Sequence, residues 1–172
     1  GRWRPAGPGE PSLTGLDGGR WTRVPADAED RGEGEVLVNS TGNLVDSSGN
    51  GYDRDWLVRA DRLDSPAEVF GLCGGACAIR RDVWEELGGL REDLFMYYED
   101  TDFSWRIRES GRRVEFVAGA VARHEHAASS GADSPMFVRV NTRNRILVAA
   151  EHAPWPVLLR ALARTTARAA RH

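Results

Sequence analysis

The stretch FMYYEDTDFSWRIRESG (residues 95–111) runs an aromatic segment into three acids and then into a helical pattern. Phe103 and Ile107 are four apart, on one face of a helix, and Gly111 stands where a helix commonly closes in the left-handed conformation. The pattern predicts a helix over 100–110, with Glu99, Asp100 and Asp102 crowding its start. Two readings are open. Acids in a first turn complement the positive end of the helix, each by about 0.3–1 kcal/mol, and one of them can cap free N–H groups. The cluster also follows Phe95, Met96, Tyr97 and Tyr98. A carboxylate against such an apolar wall has a raised pKa, as a proton acceptor tuned towards neutrality needs.

Working outward, AEVFGLCGGACAIRRDVWEELGGL (residues 67–90) has an apolar run broken by Gly74-Gly75. Glycines inside a strand mark a bulge or a close approach by another group. RRDVWEELGG then reads as a short helix stopped by Gly88-Gly89. Further upstream, EVLVNSTGNLVDSSGNGYDRDW (residues 35–56) offers short strands at 36–38 and 44–45 around turn clusters. Downstream, RRVEFVAGAVARHEH (residues 112–126) reads as a bent strand or strand pair, Pro135 starts a helix, and 154–171 is an amphipathic helix. Strands alternating with helices argue an α/β fold. Residues 1–34, rich in Gly, Pro and charge, read as linker or irregular segment.

The 172 residues suit one domain, and an apolar fraction of 41% suits a globular core. The net charge of −3 gives no sign of a nucleic-acid partner. All basic residues are arginine, a bias that follows genome composition more than function. The two cysteines, Cys73 and Cys77, cannot make a disulfide framework and point to a reducing compartment. No apolar run reaches the ~20 residues of a membrane span, and no secretory signal is visible. The expected location is therefore cytoplasmic. Gly1 in place of Met gives the expectation of a fragment.

His124 and His126 form H-x-H, which on a strand puts both rings on one face, a common zinc arrangement. Cys73 and Cys77 would complete a Cys2His2 set, but C-x3-C is not the usual zinc spacing. Buried small hydrophobes explain those cysteines better, and hydrogen bonding explains a lone histidine.

Taken in order, Gly74-Gly75-Ala76 with Arg80-Arg81, GGLREDLFMYYEDTDFSWR, HEHAAS and TRNRIL closely resemble the second half of bacterial family 2 glycosyltransferases of the rhamnosyltransferase-like kind. The resemblance runs from about residue 35 to 154. It implies a partial GT-A fold, Rossmann-like, with a mixed sheet, flanking helices and an acceptor-side catalytic half over 35–150. It implies inverting transfer from a nucleotide-sugar donor to an acceptor hydroxyl, in cell-surface glycan synthesis. That chemistry needs a base for the acceptor proton, a divalent cation (Mg2+ or Mn2+) at the leaving diphosphate, and a pocket that aligns the two substrates.

By the resemblance, Asp100 is the general base and His124 the metal ligand. Glu99 and Asp102 shape the acceptor pocket and tune the base. Gly74, Gly75 and Ala76 lie near sugar and acceptor, and Arg143 and Asn144 belong to a family element after the histidine. Trp105 is a sugar platform or, in the plainer reading, core packing. The nucleotide-binding half and its metal-binding D-x-D have no counterpart here. Asp53-Arg54-Asp55 sits in a Gly/Asn-rich loop and reads as loop charge or an acceptor-side contact. Arg91 stands where the family usually has Asp.

From Asp133 onward seven arginines (139, 143, 145, 160, 164, 168, 171) face Asp133 and Glu151, a balance of +5 on an acidic chain. With PWPVLLRALARTTARAARH, residues 151–172 read as a basic amphipathic helix that anionic lipid attracts by about 1 kcal/mol per basic residue. Lipid-linked glycan acceptors at the inner membrane face suit it. The alternatives are an inert fragment that binds glycan or a partner, and, more weakly, a small zinc protein.

Overall fold

The computed structural model describes residues 1–123 and 134–169. Its first 36 residues hold β1 (Arg2–Pro5), β2 (Leu13–Thr14), β3 (Arg20–Arg23), α1 (Ala26–Asp30) and β4 (Glu35–Val36). The strands form one antiparallel sheet in the order β2-β3-β1-β4. Residues 1–34, expected as linker, are thus ordered. Trp3 pairs with Arg23 across β1 and β3, and the Arg23 guanidinium lies 5.4 Å from the Trp3 ring centre. Strands of two to four residues are too short to show a period of two against a Gly/Pro background, which is why the pattern was invisible. Trp56 ties this sheet to the rest by donating to the Thr14 carbonyl at 3.0 Å.

Next comes a hairpin of β5 (Asn43–Val45) and β6 (Gly51–Asp53). Its turn is closed by Asp46, whose carboxylate accepts from the Ser48 and Asn50 amides, the local bonding that makes Asp a turn residue. β7 (Glu68–Val69) pairs with β8 (Val114–Glu115). The helices are α2 (Arg81–Leu87), α3 (Glu99–Glu109), α4 (Pro135–His152) and α5 (Trp155–Ala169). Gly88 ends α2 at φ 74°, and Ser134 caps α4 by accepting from the Phe137 amide, as the sequence signals require. The α/β class expected from the alternation holds, with small antiparallel sheets, and is consistent with a partial GT-A domain.

Two apolar clusters fix α3. Leu72, Val83, Phe103 and Ile107 gather on one side, with Ile79, Leu87 and Val114 against them. Leu94, Tyr98 and Val148 gather on the other, with Tyr97 and Trp105. The glycine-broken segment approaches α3 itself. A Cβ on Gly71 would lie 2.4 Å from the Ser104 hydroxyl, and that hydroxyl receives the Leu72 amide at 3.1 Å. Finally, α5 packs on the β5–β6 turn: Arg160 donates to the Ser47 carbonyl, and Gly49 lies against Ala149, Val157 and Ala161.

Candidate functional site

The aromatic run that leads into α3 is wound the wrong way for L-residues. Phe95, Tyr97 and Tyr98 have φ of 64°, 64° and 70°, a conformation that costs about 1–2 kcal/mol for each non-glycine residue. A fully buried side chain from α4 compensates. Asn144 Nδ2 lies 2.8, 2.9 and 2.7 Å from the carbonyls of Leu94, Met96 and Tyr97. Arg143 donates to Asn144 Oδ1 and to the carbonyls of Asp93 and Leu94. These two residues, expected at the substrate, thus hold the backbone that aims the start of α3.

Asp100 sits half-buried at that start. Its Oδ2 receives the Gly74 amide at 3.0 Å, and its Oδ1 receives the Thr101 amide at 2.7 Å and the Thr101 hydroxyl at 3.2 Å. Burial pushes the carboxyl above its ordinary range, the bonds from Gly74 and Thr101 oppose that, and the charge of Asp53 adds to it. Glu99, next to it, is raised by burial and then by the Asp100 charge, and its Oε2 is buried without a hydrogen-bond partner. A raised carboxyl holds a proton more firmly, which makes its anion a better base near neutrality. The lip over Asp100 is exposed backbone: Gly74, Gly75 and Ala76 lie in a turn closed by the Ala76 amide on the Cys73 carbonyl at 3.1 Å.

Asp102 lies two positions on, about 200° round the helix, and belongs to a different group. It is fully buried. Arg106 approaches its Oδ2 at 2.8 Å, while Arg91 and His152 approach Oδ1 at 3.3 and 3.0 Å. Burial alone would raise this carboxyl, but the His152 and Arg106 bonds outweigh it and lower it. His152 is the counterpart. Burial would lower it, yet hydrogen bonds to Asp102 and Glu109 raise it. Trp105 stacks on the His152 ring, with planes 7° apart, and meets Phe70 edge-on.

Among the described residues, only Asp102, Glu151 and His152 bring three metal-ligating groups within 4.8 Å of one another. They do not fit a divalent cation. Arg91 already stands among them, paired with both Asp102 and Glu151. Both His152 nitrogens face carboxylates at 3.0 Å, the pattern of an imidazolium that donates twice, whereas a ligand needs a free lone pair. His124 and His126 lie outside the described residues. Cys73 and Cys77 join no such group of three, and burial pushes both thiols up, away from the thiolate that zinc requires.

In the sequence Asp53 reads, like Asp55, as loop charge or an acceptor-side contact. It ends β6, and its charge acts on both Cys73 and Asp100, so the hairpin brings it to the site. The other acid of that D-x-D, Asp55, turns away to Thr41 and Ser65. Spacing along the sequence could not separate the two, because the hairpin alone decides which of them reaches α3.

Residues 50–147, more than half of the chain, match a family described as glycosyltransferase like family 2. Two curated relatives, from Mycobacterium tuberculosis strains CDC 1551 / Oshkosh and ATCC 25618 / H37Rv, are each named N-acetylglucosaminyl-diphospho-decaprenol L-rhamnosyltransferase. Each is 31% identical over 99 residues, covering 56% of this chain and 32% of the relative. The chain thus matches about a third of the length of those relatives. No solved structure matches.

Proposed function

The chain belongs to the glycosyltransferase-like family 2, and from that premise we propose that it forms the base-bearing, acceptor side of an enzyme that moves a sugar from a nucleotide-sugar donor to a hydroxyl of a lipid-linked glycan. The observation that carries the reading is Asp100: a half-buried carboxyl with a raised pKa, fixed by Gly74 and Thr101 beneath an exposed glycine lip. In the reaction Asp100 takes the acceptor hydroxyl proton. The freed oxygen forms its bond to the anomeric carbon as the bond from that carbon to the diphosphate breaks. The bonding pair leaves on the diphosphate oxygen. One displacement from the opposite face inverts the anomeric centre.

Asp53 and Glu99 keep Asp100 among negative neighbours, which favours its return to the protonated form as the acceptor ionises. Asn144 and Arg143 orient the base through the backbone. Family 2 enzymes often use a divalent cation, Mg2+ or Mn2+, which would neutralise charge on the leaving diphosphate. The described residues build no site for it, so on this reading it depends on His124 and on groups outside the described residues. The relatives' printed names support an acceptor of the glycosyl-diphospho-polyprenol class. Such acceptors sit at a membrane surface. α5 supports that placement with Trp155, Leu159 and Leu162 exposed along one stripe. Among the described residues no helix is long and apolar enough to cross a membrane.

The test is Asp100→Asn in the full-length protein. Transfer should fall by about 10²–10⁴, the usual worth of a general base, while calorimetry still detects the nucleotide-sugar donor. Turnover within a few-fold of the parent protein removes Asp100 from the role.

A further inference from the structure

Behind Tyr98 a cleft of about 170 Å3 opens between the β5–β6 turn, α4 and α5, lined by Asn50, Asn141, Arg145, Arg164 and Arg168 among others. Three guanidinium groups meet there. Arg145 donates to two neutral groups, Asn50 Oδ1 at 2.7 Å and Thr165 Oγ1 at 2.6 Å, and its Nε is buried without a hydrogen-bond partner. Arg164 stands 3.7 Å from Asp46, a loose pair between two partly exposed side chains. Among the described residues no acid lies within ion-pairing distance of Arg145 or Arg168. The charges of Arg145, Arg164 and Asp46 all act on the Tyr98 phenol, which fixes them around one point. A buried guanidinium N–H without an acceptor is unusual. Three positive charges against one carboxylate leave the cleft short of negative charge.

We infer that this cleft, built by Arg145, Arg164 and Arg168 around Tyr98, is a subsite for an organic diphosphate, and that the diphosphate is the acceptor's. The inference rests on the glycosyltransferase reading for its biological substrate, not for the anion chemistry. Guanidinium forks match phosphate oxygens in pairs. The volume is below the roughly 300–1,000 Å3 of a pocket that swallows a whole organic ligand, and so suits a charged linking group with the rest of the molecule outside. The relatives' printed names, which carry a diphospho-decaprenol, favour the acceptor's diphosphate over the donor's. Tyr98 precedes Glu99 and Asp100. Its hydroxyl receives the Gly51 amide at 3.1 Å, and a Cβ on Gly51 would touch the Thr101 hydroxyl that bonds Asp100. Gly51, Tyr98 and Thr101 thus stand between the cleft and the base, and the two lie side by side at the start of α3.

The test uses Arg164→Gln/Arg168→Gln in the full-length protein, because both side chains are largely exposed and the fold tolerates their loss. Arg145→Gln serves as the second variant. Inorganic pyrophosphate is titrated calorimetrically. Binding should weaken at least about tenfold in the double variant, since each charged hydrogen bond lost is worth that order. In transfer assays kcat/KM for a glycosyl-diphospho-lipid should fall about tenfold or more through KM. The fall for the same glycolipid lacking phosphate should be under about twofold, and KM for the nucleotide sugar should hold. Unchanged pyrophosphate binding overturns the subsite while leaving Asp100 and the transferase reading intact. A rise in donor KM assigns the cleft to the donor and overturns the acceptor claim. An equal fall on both glycolipids, with loss of flotation on phosphatidylglycerol vesicles, makes it a general lipid-charge patch and also overturns it. If the parent protein transfers no sugar yet binds pyrophosphate through these arginines, the anion site stands and the function reading fails.

Discussion

Replacing Asn144 by Ala should cost the protein about 2–6 kcal/mol: the Leu94 carbonyl keeps the Met96 amide and Arg143, but those of Met96 and Tyr97 lose their Asn144 donor, at about 1–3 kcal/mol for each stranded acceptor. The sum is worked from the geometry. Asn144 is fully buried, so water cannot replace the lost donors without entering the core. Its three acceptors belong to the segment that holds Phe95, Tyr97 and Tyr98 in the left-handed region. That strain has the same order as the bonds that oppose it. Losing the bonds therefore frees the segment as well as weakening the domain. Against a total stability of about 5–15 kcal/mol, the change is large. Urea unfolding of Asn144→Ala gives the first reading, through a lower midpoint at constant m. Hydrogen exchange at the amides of residues 95–98 and 101 gives the second, and protection there should fall more than in β1–β3. Asn144→Asp should be worse at neutral pH, since a carboxylate would face three carbonyl oxygens, and should recover as acid protonates it. A loss below about 1 kcal/mol in Asn144→Ala, with unchanged exchange at 95–98, would refute the claim that this side chain restrains the turn.

His152→Gln tests the buried ion cluster. The folded-state pKa of His152 is raised above 6.5, so its contribution is full below about pH 6.5 and is lost as pH rises through the higher folded value. The stability gap to the parent protein, about 1–3 kcal/mol from charged hydrogen bonds, should be widest near pH 6 and narrow on the alkaline side. A gap that widens with pH refutes the imidazolium assignment. Gly71→Ala should destabilise by about 1–3 kcal/mol through overpacking, because the new Cβ meets Ser104 at 2.4 Å. An unchanged thermal midpoint would contradict that close approach. Gly74→Ala is a milder probe, its Cβ standing 3.3 Å from Asp100 Oδ2. It should leave stability within about 0.5 kcal/mol while moving the acid limb of the transfer rate to higher pH, as the Gly74 amide loosens its hold on the carboxylate.

The helices were legible because their punctuation is local. Pro135, Gly88-Gly89, and Phe103 with Ile107 each act within one or two turns. The acidic cluster was legible as a helix start beside an aromatic wall. Its division of labour was not, since Asp100 and Asp102 part only by the helix rotation that sends one to Gly74 and the other to Arg91 and His152. Arg143 and Asn144 stood out as a motif, but their role needed the left-handed turn 50 residues upstream. The opening sheet escaped notice because its strands are two to four residues long, and Asp53 and Asp55 read alike because only the hairpin decides which of them reaches α3. The glycines at 74 and 75 were expected to admit something close; Gly74 meets the Asp100 side chain, and Gly71, which the sequence did not single out, meets that of Ser104.

Gly49 takes φ 74°, a conformation that suits glycine, and faces Ala149, Val157 and Ala161. The bonds that seal this seam join residues 95 apart, Asn50 with Arg145, and 113 apart, Ser47 with Arg160. Loop closure over such spans is slow. A hairpin made early in synthesis therefore waits for α5 to leave the ribosome before it locks, and a chain shortened after residue 153 would betray the loss at residue 49.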